Sequence, residues 1–167
     1  AYLLDLPNKF PGDNQVTLQL IDFYLKADKP DQAQKYIEIA KAADPNNYSL
    51  YFAGRIMFLN QNRFDEAITE LTKSIEIKND LYDTQYGLGA AYINKAADMF
   101  LKANDIMDVN KYTIAIDEAN TVYAKALPYM ERALELKPDD PYTLRSLQEL
   151  YYRLKQKDAS LNAKYEE

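Results

Sequence analysis

The side chains that most often carry catalysis or bind metals are scarce in this chain of 167 residues. It has no cysteine and no histidine, which excludes a thiol nucleophile, a Cys/His zinc site and a Ser-His-Asp triad. The 26 Asp and Glu residues remain, but no two of them have a spacing that indicates an acid–base pair. We therefore expect no catalytic residue, no metal site and no cofactor, and predict that the protein is not an enzyme.

Two short segments superficially resemble ligand-binding loops. Residues 104–110 are rich in Asp and Asn, but they lack the alternating ligands, the central glycine and the terminal glutamate of a calcium loop. The Gly87-Leu88-Gly89 segment has glycines at a phosphate-loop spacing, but it lies inside a helical pattern and no strand precedes it. Close packing between helices explains these glycines better than phosphate binding does.

Composition and charge favour a folded protein with a protein partner. The chain is 47% hydrophobic and 28% charged, which is typical of globular domains. Its net charge of −6, with no cluster of Lys and Arg, weighs against nucleic acid as a partner. No apolar stretch approaches the roughly 18 residues of a membrane span, so we expect no transmembrane segment.

The sequence matches itself at a fixed shift of about 34 residues, which is a period of helix–turn–helix repeats. The matched positions carry large aromatic residues, small residues, or the residue that follows a helix. They are Tyr24 with Phe58 and Tyr92, Ala33 with Ala67, and Pro45 with Asn79. Later pairs, such as Leu88 with Leu147 and Tyr92 with Tyr151, fit this register only if the third unit carries a 25-residue insertion.

In this register the sequence resembles the tetratricopeptide repeat (TPR) family. Leu88-Gly89 followed by Tyr92 matches the family's first helix, and the segment 133–138 (ALELKP) matches the close of its second helix. The resemblance implies an all-α fold: a right-handed superhelix of antiparallel helix pairs, here with an elongated third hairpin. It is similar at a coarser level to bacterial TPR proteins with such a hairpin and a Tyr-rich last helix. That likeness implies a periplasmic or lipid-anchored protein in its full-length form, rather than a cytoplasmic one.

We predict one TPR domain over residues 1–167. Residues 1–13 would end a preceding repeat, because the chain begins in what looks like the middle of a helix and Pro11 lies one repeat period before Pro45. The four predicted repeats are 14–47, 48–81, 82–140 with the 25-residue insertion, and 141–167.

Helix signals within these repeats predict eight helices and their caps. Asn47, Asp80 and Asp140 are the expected N-caps, and Pro30 and Pro141 are expected in first turns. Pro128 should kink the second long helix. The predicted helices are 14–27, 30–43, 48–60, 64–78, 81–107, 111–137, 141–154 and 158–166.

The insertion should form an antiparallel helical pair with its own apolar seam. Its turn is predicted at 108–110. The seam residues recur at helical spacing. They are Phe100, Ala103, Ile106, Met107, Tyr112, Ala115, Ala119, Val122 and Ala126.

The TPR resemblance implies a concave groove lined by the first helix of each unit. Carried onto this sequence, the groove is apolar and aromatic, with two equivalent asparagines whose amides can pair with a peptide backbone. The family's clamp of Lys and Asn for a terminal carboxylate is absent, because Leu18 and Asp22 hold its positions. The predicted partner-binding residues are Phe52, Ile56, Leu59, Asn60, Tyr86, Ile93, Asn94, Tyr152 and Arg153.

Four interpretations of the predicted groove and hairpin remain open at this point. The first is a non-catalytic scaffold that binds a peptide or partner protein in the groove. In the second, the same residues only pack within the repeat stack. The third is a structural subunit of a cell-envelope or other multiprotein assembly that contacts partners through the long hairpin 96–125. The fourth is an enzyme or a carrier of a small ligand, which a deep pocket with paired carboxylates would support.

Overall fold

A computed structural model of the chain describes residues 14–155. Within this range the chain forms eight α-helices connected by short segments. They are α1 (Asn14–Lys26), α2 (Pro30–Ala43), α3 (Tyr48–Asn60), α4 (Phe64–Ile77), α5 (Tyr82–Ala103), α6 (Val109–Ala124), α7 (Leu127–Leu136) and α8 (Pro141–Leu154). The predicted end of a preceding repeat at 1–13 and the predicted helix 158–166 lie outside the described residues.

The helices divide into two compact units, one ending at Asn79 and the other beginning at Asp80. In the first unit, α1 packs on α2 and α3, α2 packs on α3, and α3 packs on α4. In the second unit, α5 packs on α6 and α7, and α8 packs on α6 and α7. The bounds of α1 to α4 agree with the predicted ones to within one residue at each end.

The same turn occurs twice in the first unit, at equivalent positions of its two repeats. Asp28 and Asn62 both have a positive φ, of 54° and 57°, which Asp and Asn tolerate better than other non-glycine residues. The next residue of each turn donates its backbone N–H back to the last turn of the helix, from Lys29 to Tyr24 O and from Arg63 to Phe58 O. These bonds satisfy carbonyls that would otherwise be left open where a helix ends.

The small residues at equivalent positions of the repeat register are buried. Ala33, Ala67, Ala126 and Ala133 are fully buried. Ser74 is buried as well, and its hydroxyl donates a hydrogen bond to the carbonyl oxygen of Tyr48 at 3.1 Å. A larger side chain at these positions would separate the two helices of a pair.

Large residues fill the space between the paired helices. Tyr24 stacks on Tyr36 with ring centroids 5.5 Å apart, and Tyr92 stacks on Tyr129 at 5.8 Å. The first pair joins α1 to α2, and the second joins α5 to α7. The aromatic positions of the repeat therefore hold the two helices together.

The two predicted N-caps at Asn47 and Asp140 are confirmed. Asn47 accepts a hydrogen bond from the Ser49 amide at 3.2 Å, and Asp140 accepts one from the Thr143 amide at 2.9 Å. The predicted cap at Asp80 is wrong, because Leu81 precedes the first turn of α5 and no side chain caps it.

In the elongated hairpin, formed by α5 and α6, the connection between the two helices differs from its prediction. Helix α5 stops at Ala103 rather than at 107, and the connection to α6 is 104–108 rather than 108–110. The Asp108 side chain caps α6 by accepting from the Lys111 amide at 2.9 Å, so the helix starts earlier than expected. Met107 therefore lies in the connection, almost fully exposed, and its predicted place in the seam is wrong.

The predicted single helix over 111–137 is interrupted near its middle. Lys125 and Ala126 donate their amides to carbonyls only three residues back, and α7 starts anew at Leu127. Pro128, in the first turn of α7, has no amide hydrogen to continue the α-helical bonding. The proline thus separates two helices rather than kinking one.

Candidate functional site

Four of the predicted groove residues lie on α3, in the first unit. Ile56 is 39% exposed and Asn60 is exposed. Phe52 is half-buried, and the Arg55 guanidinium stacks 3.8 Å above its ring centroid. Leu59 packs against a small buried cluster that includes Met57 and Phe58. Helix α3 thus presents Ile56 and Asn60 to the outside, with Phe52 one turn earlier beneath an arginine.

Three further predicted residues lie on α5, in the second unit. Tyr86 stacks on Tyr82 with centroids 5.8 Å apart, and it also packs against the core of the unit. Ile93 packs against that core, whereas Asn94 is exposed. These two apolar side chains are therefore half-buried, and the amide alone is presented outward.

The last two predicted residues lie on α8 and have different surroundings. Tyr152 is 52% exposed, and the Lys155 ammonium lies 4.9 Å from its ring centroid. Arg153 is turned toward its own unit, where its guanidinium lies 5.7 Å from the Phe100 ring centroid and 5.4 Å from that of Tyr123. Its Nη2 also pairs with Glu149 at 3.2 Å.

Arg153, Phe100 and Tyr123 connect the elongated hairpin to α8. Tyr123 is 2% exposed, and burial raises the pKa of its hydroxyl to about 12. A cation over two aromatic rings is worth about 0.5–2 kcal/mol, depending on how far it is desolvated. This contact gives Arg153 a structural role in the second unit, which the sequence spacing did not indicate.

A second polar cluster lies at the N-terminus of α8. The Thr143 hydroxyl donates to Asp140 Oδ2 at 2.9 Å, and the Tyr82 hydroxyl lies 3.1 Å from the same threonine oxygen. The Tyr82 hydroxyl, Thr143 and Lys137 hold the pKa of the Asp140 carboxyl well below its usual range. The members of the cluster bond to one another across Tyr82 of α5, Lys137 and Asp140 of the α7–α8 turn, and Thr143 of α8, so the arrangement fixes this turn.

The hairpin of α5 and α6 carries large apolar side chains on its surface. Leu101, Met107, Val109 and Ile114 are all more than half exposed, and Met107 is 99% exposed. Sequence analysis assigned the apolar residues of the insertion to a seam and did not predict this exposed set. For Leu101 and Ile114 a sequence signal is available, because their spacing from the buried Ala103 and Ala119 puts them outside the stripe that those alanines define.

A shallow groove of about 500 Å³ runs along one side of this hairpin. Its lining residues are Met99 from α5, together with Ile114, Asp117, Glu118, Thr121 and Val122 from α6.

A smaller surface groove, of about 330 Å³, lies on α8. Its lining residues are Arg145, Gln148, Glu149 and Tyr152.

Within residues 14–155 no group of three or more acidic residues is arranged to hold a metal ion. In the same part of the chain, no helix combines the length and the apolar character that a membrane crossing needs.

Comparison with known proteins shows likeness in structure rather than in sequence. No protein-family model matches the chain, and no curated protein matches it by sequence. The first TPR of Spaghetti (RPAP3), bound to the HSP90 peptide SRMEEVD, superposes with a TM-score of 0.60 at 19% identity, covering 84% of this chain and 94% of that one. YrrB, a TPR protein with an unusual peptide-binding site, gives a TM-score of 0.53 at 11% identity over 95% of this chain and 86% of YrrB.

A third similar structure is the human IFIT1 dimer with m7Gppp-AAAA. It gives a TM-score of 0.66 at 16% identity, covering 98% of this chain and 34% of that one. Since IFIT1 holds a nucleic-acid ligand, the shared fold does not by itself distinguish a peptide partner from an RNA partner.

These likenesses define the class: the chain is an all-α helical-repeat protein. Its fold is the tetratricopeptide repeat fold, which confirms the prediction from the repeat register and from the Leu-Gly, Tyr and Ala positions.

Proposed function

We propose that this protein is a non-catalytic scaffold that binds a peptide or a segment of a partner protein on the outward faces of its helices. The observation that carries the proposal is the exposed stripe on α3, on a fold that in RPAP3 is seen with a bound peptide. The stripe combines an apolar side chain, Ile56, with an amide, Asn60, one turn further on.

The chemistry of the stripe suits a peptide. Phe52, Ile56 and Asn60 are four residues apart in turn, so they lie along one face of α3. An aliphatic side chain offers contact area, and an Asn amide can both donate to and accept from a peptide backbone. The Arg55 guanidinium over Phe52 adds a planar cation at the edge of the same stripe.

The second unit offers a comparable surface on α8. Tyr142 and Tyr152 are both more than half exposed, and the groove beside Tyr152 is lined by polar side chains. Tyrosine is enriched in protein interfaces because its ring gives contact area and its hydroxyl gives a hydrogen bond. This surface supports the same proposal independently of α3.

The charge of the chain supports a protein partner over a nucleic acid. The net charge is −6, and both grooves described on the second unit contain carboxylates. Phosphate backbones are bound by clustered Lys and Arg, and the sequence has no such cluster.

The test is a quantitative affinity purification from a native extract with Ile56→Ser and a matched control, Ile39→Ser. Ile39 is also an exposed isoleucine of the first unit, at 55% against 39% for Ile56, but it lies on α2. We expect Ile56→Ser to lower the recovery of specific partners about tenfold or more, as loss of an interface hot spot does. Equal recovery with both variants would contradict a binding face on α3.

The structure also favours a second candidate, assembly through the tip of the elongated hairpin. Met107 is almost fully exposed and Val109 is 76% exposed, and no described residue covers them. We propose that this tip contacts a neighbouring subunit of a cell-envelope or other multiprotein assembly. Replacing both residues by Ser should abolish co-purification of that subunit while Ile56→Ser leaves it intact. Unchanged assembly would remove this candidate.

A further inference from the structure

The groove on the elongated hairpin is lined by apolar and acidic side chains. Met99, Ile114 and Val122 supply its apolar floor, and Asp117 and Glu118 contribute its carboxylates. Ile114, Glu118 and Val122 are four residues apart in turn, so they form one stripe along α6. The stripe is about 12 Å long at roughly 1.5 Å per residue, which is about two helical turns.

Of the three apolar side chains in the groove, Val122 also packs against the core of the second unit, whereas Met99 and Ile114 are not among the residues packed against it. Phe100 and Tyr123 adjoin Met99 and Val122 in sequence, and they lie under the Arg153 guanidinium of α8. Met99 and Val122 are left half-buried and Ile114 is 59% exposed. Burying such apolar surface contributes roughly 25 cal/mol for each Å² removed from water, so a complementary partner would gain from covering it.

The charges around the groove favour a partner with cationic side chains. Its lining contains two carboxylates and no cation. The Glu118 side chain forms no hydrogen bond or ion pair with any residue in the described part of the chain. Lys102 on α5 is paired with Asp98 at 2.6 Å, and Lys111 and Lys125 lie two helical turns away from Glu118 in either direction. A partner side chain that is cationic therefore meets an uncompensated carboxylate in the groove.

The shape of the groove favours a helix over an extended peptide. An extended peptide gains affinity by pairing its backbone with a strand edge or with side-chain amides, and the lining of this groove has neither a strand nor an Asn or Gln side chain. A helical partner satisfies its own backbone hydrogen bonds. It therefore needs only side-chain contacts spaced three or four residues apart, as Ile114, Glu118 and Val122 are on α6.

We propose that this groove binds an amphipathic helix of a partner protein. The helix places apolar side chains between Met99, Ile114 and Val122, and one of its Lys or Arg residues pairs with Glu118. The proposal rests on the second candidate function, in which the hairpin contacts a partner, and it assigns that contact to the side of the hairpin.

The experiment is a selection on the full chain from a displayed library of helical peptides with randomised surface positions. We expect the selected peptides to carry an apolar stripe flanked by Lys or Arg. Binding should fall about tenfold or more with Ile114→Ser, in line with the loss of an interface hot spot, and should weaken as salt is raised. Glu118→Lys should shift the selection from basic to acidic flanking residues.

The controls separate this proposal from the ones it rests on. Ile39→Ser and Glu38→Lys make the same changes on α2, outside the hairpin, and should leave binding and selection unchanged. The Met107→Ser/Val109→Ser variant tests the tip alone: lost binding there, with an unaffected Ile114→Ser variant, would overturn the groove and keep the hairpin contact. Recovery of no helical peptide, or of peptides without basic residues, would also overturn the proposal.

Discussion

Gly89 of α5 packs closely against Met130 of α7, and this contact yields a prediction that can be worked quantitatively. A Cβ placed on Gly89 would lie 2.8 Å from Met130 Cγ, 2.9 Å from Cε and 3.1 Å from Sδ. Met130 is fully buried on α7 and cannot swing into solvent. Gly89→Ala should therefore force α5 and α7 apart or drive Met130 out of its rotamer.

Two opposing effects set the size of the change. Overpacking a buried site by one methyl group costs typically about 1–3 kcal/mol. Replacing glycine by alanine inside a helix gains up to about 1 kcal/mol in helix propensity. The net expectation for Gly89→Ala is a loss of about 0–2 kcal/mol in the free energy of unfolding, so the single variant alone does not decide the matter.

A double-mutant cycle with Met130→Ala isolates the contact. Met130→Ala removes all three atoms that approach the new methyl group, so in that background Gly89→Ala should stabilise the protein by up to about 1 kcal/mol. The predicted coupling between the two sites is then about 1–3 kcal/mol, measured by urea unfolding followed by circular dichroism. Additive effects of the two substitutions would refute the packing that we describe.

Gly54 on α3 is the matched control. A Cβ there would approach only the carboxylate end of Glu70, at 3.0 Å from Oε2 and 3.4 Å from Cδ. That end can shift because the Glu70 side chain is flexible, and its ion-pair partner Lys41 also has a flexible side chain that can follow it. Gly54→Ala should therefore leave the free energy of unfolding unchanged or raise it by up to about 1 kcal/mol.

Three further predictions concern caps and titrating groups. The Asp140 pKa is lowered in the folded state, so the ionised carboxylate stabilises the fold above the unfolded pKa of about 4, and this contribution is lost as pH falls further. Asp140→Asn should therefore flatten the acid side of a Tm–pH curve. The Tyr123 pKa is raised to about 12, so its stabilisation is lost as pH rises from about 10 to 12; Tyr123→Phe should remove that loss, and Tyr142→Phe should not. Asn47→Ala should cost about 0.5–2 kcal/mol in urea unfolding as a lost N-cap, with Asn46→Ala as a neutral control.

The first four helices could be predicted closely because each of their ends has a local signal. Pro30 begins α2 and Asn47 caps α3, and both act within a turn of the chain. The repeat period also predicts that Ala33 and Ala67 are buried between helices, and both are fully buried.

The elongated hairpin was predicted less well because its ends depend on competing local signals. Ile106 and Met107 extend the apolar pattern of α5, but α5 ends before them and Asp108 caps the N-terminus of α6. Periodicity alone cannot show that Met107 faces outward, since exposed and buried apolar residues have the same spacing. Pro128 was correctly expected to disturb the helix, but whether it kinks or separates the helix depends on the surrounding bonds.

The candidate site was predictable only as a set of positions on helices. The sequence located Ile56 and Asn60 on one face of α3, which follows from helical spacing. It did not show that Arg55 stacks on Phe52, or that Arg153 lies over Phe100 and Tyr123, because those contacts depend on side-chain directions and on packing between helices.

Site-specific photo-crosslinking in the producing cell tests the central claim, binding of another protein, most directly. A photoreactive amino acid replaces Ile56 on α3, Ile114 on the hairpin or, as the control, Ile39 on α2. We predict a discrete crosslinked protein from position 56 or 114, competed by excess unmodified protein, and none from position 39. If positions 56 and 114 give no crosslink above that of position 39, the protein does not act as a binding scaffold through the surfaces described.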